Sequence, residues 1–475
     1  MRASTPSASR PPAALAHHAV RWGVAAIVVA LALALGGSDG GRGSGGPPAS
    51  GAAALVPADV LVYVHLSTDP GRPATRRAAA MAARFPSWPR LRDSVVRQLA
   101  APDCRTAADA LKGANEAALA LFYIGKGTTA NSLVLVDAGG EHADGSQRGC
   151  GALSVAYVGH FLAIGQPESL SVAQDLQRGR GTSLAAAAGP RRVFARLPAD
   201  RAADGWVSAD GVRRLLAPQG GLLGVAGVLL NQPGLTGAGF ALSATRDGAR
   251  IVVRSLRDPA QARKAGAGFR PFSPTLQDAA PAGAMSYLGV SNLAPALRRL
   301  LAAAGSGSKQ LAPLVQGIDT DLLRLFAGEA AIILTPATPA PVLTLLARTQ
   351  DEAATRRALA RLPVALRRAF RTAVFDGKVA VSTSAAGIRA VQAGGPHLSG
   401  TDQWSKSVGN HPQSVSSLLF LDFSRLLQLG EQTGLGDSSA YQAAKSDLEK
   451  VRSIGADTSG NDSESTAEIS LLITP

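Results

Sequence analysis

Hydrophobic and polar positions change period along the chain, and the changes mark out its elements. Residues 60–66 and 284–290 are short, nearly continuous apolar runs that read as buried strands. Ala/Arg/Leu-rich stretches come next, near 73–100 and 293–304, and read as helices. Residues 355–370 (TRRALARLPVALRRAF) set apolar positions at helical spacing opposite Arg, with Pro363 interrupting. Asp376-Gly377, between alternating segments, is the residue pair that a type I′ hairpin favours, and Asp247-Gly248 is a second such signal. Hairpins outnumber βαβ units. The chain therefore predicts an α+β fold with a mostly antiparallel sheet and helices packed on one face.

The same pattern occurs twice. Residues 57–64 (PADVLVYV) return as 281–288 (PAGAMSYL), and 115–121 (NEAALAL) as 328–334 (GEAAIIL). Residues 132–137 resemble 342–347, 156–163 correspond to 374–381, and 237–253 line up without a gap on 455–471. Five matches in one order predict two tandem repeats, 55–257 and 279–475, joined by a Pro-containing connector, 258–278.

The first residues have a different logic. Residues 1–21 carry Arg2, Arg10 and Arg21 and no acid, and 22–37 (WGVAAIVVALALALGG) carry no charge. Positive charge before an apolar run holds the N-terminus in the cytoplasm and sends the downstream chain across a membrane. As a helix the run spans about 24 Å, short of the ~30 Å hydrocarbon core, so a signal-anchor and a cleavable signal peptide both fit. Residues 38–54, rich in Gly, Ser and Pro, read as a flexible linker. The expectation is a single-pass membrane protein, N-terminus in, with its folded part extracytoplasmic. The alternative is secretion after signal cleavage.

Composition narrows the function classes. Of 475 residues, 46% are hydrophobic and 17% charged, which excludes a disordered chain. The net charge is +14, and forty of the forty-eight basic residues are Arg. Residues 430–475 are net acidic, so the body is more basic than the total implies. A basic body favours anionic surfaces such as phospholipid headgroups or envelope polymers, although a solvated Arg-rich surface explains the same charge. Aromatic residues are only 4%, and basic runs with interleaved aromatics are missing, so nucleic acid is not an expected partner.

Candidate chemistry is sparse. The two cysteines, Cys104 and Cys150, fall between predicted strands of the first repeat. In an oxidising compartment they are predicted to pair, two free thiols being the alternative. The histidines at 17, 18, 65, 142, 160, 397 and 411 have no metal-ligand spacing and read as surface or turn residues. Residues 306–309 (SGSK) fit the SxxK pattern of penicillin-interacting serine enzymes but lack the KTG strand that would complete a site, and read as a turn. Glu116 and Glu329 occupy equivalent strand starts. They are either paired acid–base carboxylates or acceptors for backbone N–H groups. The apolar stretch carrying Leu222, Leu223, Val225, Val228, Leu229 and Leu230 exists in one repeat only. It reads as a core helix or as an apolar contact segment for a partner, lipid or ligand. No residue is assigned a catalytic, metal-binding or cofactor-binding role.

Residues 55–59 (LVPAD) with Tyr63, the Glu116 and Glu329 strand starts and the Gly159 and Gly377 hairpins resemble the domain of unknown function 3352 family. That family comprises uncharacterised bacterial membrane-anchored extracytoplasmic proteins. The resemblance implies location and fold and no activity. The expected function is a non-enzymatic cell-envelope module that binds an envelope protein, an anionic polymer or a lipid. A carrier or sensor of a hydrophobic ligand is the alternative, and an envelope hydrolase a third reading.

Overall fold

The computed structural model describes residues 46–48, 50–90, 114–125, 129–140, 142, 145–150, 153–216, 232–264, 270–294, 325–338 and 340–474. The basic segment, the apolar run 22–37 and most of the linker lie outside the described residues. Two compact units are present: Met1–Asn231 with Gly237–Ser243, and Gln232–Thr236 with Ala244–Pro475. The fold is α+β, with antiparallel strand ladders and helices.

The first unit contains β1 (Val62–Ser67), β2 (Glu116–Phe122), β3 (Asn131–Asp137), β4 (Arg148–Cys150), β5 (Leu153–Val158), β6 (Phe161–Gly165), β7 (Ala203–Ser208) and most of β8 (Leu235–Ala244). Its ladder runs β4-β5-β6-β3-β2-β1-β7-β8, antiparallel at every step. β2 is buried along its whole length, which is why its sequence (EAALALF) does not alternate. The helix Pro167–Gln177 places Leu170 and Ala173 in the core.

The second unit contains β9 (Gly248–Arg257), β10 (Ser286–Ser291), β11 (Glu329–Thr335), β12 (Val342–Arg348), β13 (Arg371–Phe375), β14 (Lys378–Ser382), β15 (Ser417–Asp422), β16 (Val451–Gly460) and β17 (Glu464–Ile473). Its ladder runs β13-β14-β12-β11-β10-β15-β16-β17-β9. From β13 to β16 this order matches β5 to β8, strand for strand. The core is built on Tyr287, Trp404 and Phe420, whose rings meet edge-on or tilted at 5.4 and 5.6 Å.

The local signals work through specific geometry. Asp376 and Gly377 both have positive φ (45° and 66°), as a type I′ turn between β13 and β14 requires. Pro363 ends one helix, Glu352–Ala360, and caps the next, Val364–Ala369. The predicted helix 73–100 is interrupted: Pro73–Ala82 is helical, Pro86 sits in the turn beyond it, and residues 88–90 are helical again. Residues 91–100 and 295–304 lie outside the described residues.

Three boundaries shift. The linker reaches only to about residue 50, because Gly51–Leu55 forms a buried helical turn held by Glu116. The connector 258–278 belongs to the second fold: Phe272 exchanges backbone hydrogen bonds with Val415, and Leu276 is fully buried. Residues 248–257 leave the first unit, because β9 pairs with β17. Gly248 accordingly opens β9 instead of completing a type I′ turn; a Cβ there would stand 1.8 Å from the Leu471 carbonyl oxygen.

Candidate functional site

In the first unit, His65 lies mid-strand in β1, directly across the ladder from Asp204 in β7. Glu116 of β2 stands opposite Ser67, two residues along β1, which puts it on the same face as His65. His65 Nδ1 is 3.2 Å from Asp204 Oδ1, and Nε2 is 3.5 Å from Glu116 Oε1. Both are close charge contacts that fall short of full hydrogen-bond geometry. Arg201 Nε donates to the other oxygen of Asp204. All four side chains are buried, at 0% exposure for His65, 1% for Asp204, 4% for Glu116 and 5% for Arg201. The sequence expectation of a surface or turn histidine is therefore corrected for His65.

The two acids respond in opposite ways. Burial alone would raise Asp204, but His65 and Arg201 outweigh it and hold the carboxyl below its ordinary value. Burial raises Glu116, and His65 and the amides of Ala52 and Gly51 offset it only in part. Glu116 accepts from the backbone N–H groups of Gly51 at 3.0 Å and Ala52 at 2.8 Å. Glu329 has the same task in the second unit, accepting from the N–H groups of Thr275 (2.6 Å) and Leu276 (2.9 Å) and from Thr275 Oγ1 (2.6 Å). Each carboxylate thus caps a short helical turn, Gly51–Leu55 in the first unit and Leu276–Ala279 in the second. Among the described residues the His65–Asp204 pair has no counterpart beside Glu329, whose charged neighbour is Arg348 at 3.8 Å: where β1 pairs His65 with Asp204, β10 pairs Gly289 with Leu418.

The second unit holds an open cavity of about 450 Å³ between the helix Asp402–Ser407 with its following loop and strands β16, β17 and β9. The helix end lies flat on the sheet because Gly455 has no side chain; a Cβ would stand 2.1 Å from the Ser407 carbonyl oxygen. Ser407 Oγ also meets Ser453 Oγ at 2.7 Å. Basic Arg246, Arg250, Lys406 and His411 and acidic Asp247, Asp457 and Glu468 line the space. Asp457 and Glu468 face one another across the β16–β17 ladder, and Arg250 pairs with Glu468. Asp457 is 8% exposed. Burial and the Glu468 charge, only partly offset by His411 and Arg250, push its carboxyl up to about 6.

A third feature is the Arg-rich run at 356–371. Arg357, Arg361, Arg367, Arg368 and Arg371 are all exposed, and among the described residues none has a carboxylate partner. Arg371 donates only to the carbonyls of Arg367 and Arg368. Val364, 55% exposed, stands in the same run. Arg356 differs, being engaged by Glu352.

Of the other residues singled out in the sequence, Cys150 ends β4, is buried and is disulfide-bonded. Its expected partner Cys104 lies outside the described residues. So do Leu222, Leu223, Val225, Val228, Leu229 and Leu230, the SGSK turn at 306–309, and His17 and His18. Among the described residues no group of three or more His, Cys, Asp or Glu side chains is arranged to hold a metal ion, and no helix is long and apolar enough to cross a membrane.

No family model matches the chain, and no curated protein matches it. Two solved structures, crystal forms I and III of TP0453, are similar over about half of it. Form I shows 10% identity over 48% of this chain and 89% of that chain; form III shows 11% over 47% and 89%; both have a TM-score of 0.27.

Proposed function

We propose that this protein is a non-enzymatic cell-envelope module that binds an anionic polymer through the Arg-rich run at 356–371. The observation that carries the reading is the set of five exposed guanidiniums without carboxylate partners. Such groups keep their full charge toward a partner and present planar donor forks suited to phosphate or carboxylate. Exposed Val364 adds apolar contact beside them. The group that most resembles catalytic machinery, His65 with Asp204 and Glu116, is buried with structural partners, and this supports binding over turnover.

Extracytoplasmic placement is part of the proposal. It rests on the basic segment, the apolar run 22–37 and the Gly/Ser/Pro stretch after it, and on the resemblance to the domain of unknown function 3352 family. We propose further that the two units are copies of one ancestral unit. The shared ladder order and the twin capping roles of Glu116 and Glu329 support that reading. The test is co-sedimentation with isolated bacterial envelopes over a salt series: binding should fall steeply as ionic strength rises past ~0.1 M, where the screening length shrinks to about 10 Å. Salt-independent binding would count against it.

A further inference from the structure

We propose that the second unit's cavity is a binding site for a small zwitterion, an amino acid or short peptide, with the ligand ammonium on Asp457 and its carboxylate toward Lys406. The site is separate from the Arg-rich run and does not depend on it.

Asp457 is more than nine-tenths buried, it lines the cavity, and no described residue donates a hydrogen bond to its side chain. Its oxygens keep some access to the open cavity, and a largely desolvated carboxylate without protein donors gains from a ligand bearing N–H groups. The adjacent acid cannot share in this, since Glu468 is already held by Arg250. Asp247, at the rim, is exposed, so Asp457 is the buried group left to receive a cation.

The kind of cation is set by the surroundings. The acids and His411 do not converge as a metal-ligand set among the described residues, which favours an organic cation with directed N–H donors. No Phe, Tyr or Trp belongs to the lining, so a quaternary ammonium held in a cage of ring faces does not suit the space. The opposite charge is also provided. Lys406 is held by Asp402 at 3.0 Å, an i,i+4 pair in which Asp402 is 77% exposed. Pairs of that kind are weak and exchange readily for a carboxylate that arrives already positioned. A volume of about 450 Å³ lies within the ~300–1,000 Å³ range of small-molecule sites.

Protonation tunes the site. Glu468 from β17, Arg250 from β9, Lys406 and His411 from the helix and its loop, and Arg246 and Asp247 from the turn before β9 all face the cavity with Asp457. Because the Asp457 carboxyl is pushed up to about 6, a ligand ammonium should bind to the ionised form above that pH and lose its partner below it.

Calorimetric titration of the full chain with three probes tests the proposal: alanyl-alanine, with both charges; putrescine, with ammonium only; and acetate, with carboxylate only. Alanyl-alanine should bind, putrescine at least about tenfold more weakly, and acetate not measurably. Asp457→Asn should fold, because it relieves like-charge repulsion with Glu468, and should lose about tenfold or more in alanyl-alanine affinity. Lowering the pH from about 8 to about 5 should weaken wild-type binding about tenfold. A wild-type protein that binds neither ammonium probe overturns the proposal, as does Asp457→Asn binding alanyl-alanine like wild type, or acetate binding as well as the dipeptide. Arg367→Glu/Arg368→Glu should leave dipeptide binding unchanged, which separates this site from the polymer-binding reading.

Discussion

His65 faces Asp204 across the β1–β7 ladder with Nδ1 3.2 Å from Oδ1, and Arg201 closes on the far oxygen of the same carboxylate. Removing Asp204 leaves a buried guanidinium without its counter-charge. Asp204→Ala should cost about 3–5 kcal/mol in urea unfolding, whereas breaking an exposed pair such as Arg180–Asp175 should cost well under ~1 kcal/mol. The pH dependence has a definite sign. Asp204 is depressed in the fold, so its stabilising contribution is present above the ordinary carboxylate range near pH ~4 and is lost as pH falls through its lower folded value. Glu116 is raised and acts in the opposite sense, so stability from that residue declines as pH rises from its ordinary value to its folded one.

Glu329 receives three hydrogen bonds at the start of the helical turn Leu276–Ala279. Glu329→Ala should destabilise by about 1–3 kcal/mol, and Glu329→Gln by less, because the amide oxygen still accepts. An acid–base role would have predicted the reverse emphasis: loss of turnover in Gln as complete as in Ala, with little change in the denaturation midpoint.

Asp457 should limit stability at neutral pH. Its folded value lies above the unfolded one, so the native state binds the extra proton between about pH 4 and 6, and stability falls as pH rises through that window. Asp457→Asn should therefore raise the free energy of unfolding at pH 7–8 by about 1 kcal/mol once partial solvent screening is allowed for, with the gain vanishing below pH ~4. A stabilisation independent of pH would mean that packing, not charge, is responsible.

Cys150 is disulfide-bonded, and with two cysteines in the chain the expected bridge is to Cys104. Intact mass after alkylation should be unchanged unless the protein is first reduced. Uptake of two alkyl groups without reduction would show that the thiols are free.

Much of this architecture is legible in the chain, and the parts that are not share a cause. The strand segments, the Asp376-Gly377 turn and the break at Pro363 are local, set by φ preferences and burial period. The role of Glu329 could be anticipated from its place at a strand start. β9 is different: the gapless match of 237–253 on 455–471 makes Ile251 equivalent to Ile469, and these two residues also stand opposite each other in the β9–β17 ladder. Sequence similarity aligns the two segments but does not give the partner, because pairing is decided by tertiary contact. His65 is unreadable for a similar reason. In VYVHLS it is one polar residue in an apolar strand, and its carboxylate neighbours come from positions 116 and 204. Asp457 is unreadable too, since its exposure depends on Gly455 letting the helix Asp402–Ser407 lie flat on the sheet.

If the Arg-rich run is the binding surface, as we propose, reversing its charge must cost affinity for a polyanion. Affinity for a defined polyanion, inorganic polyphosphate, should be measured for the wild-type chain and for Arg367→Glu/Arg368→Glu at about 50 mM and about 300 mM salt. All the exchanged side chains are exposed, so the fold should be unaffected. Wild-type affinity should fall sharply between the two salt concentrations, and the variant should bind at least about tenfold more weakly at the lower one. Equal affinity of variant and wild type at low salt would contradict it.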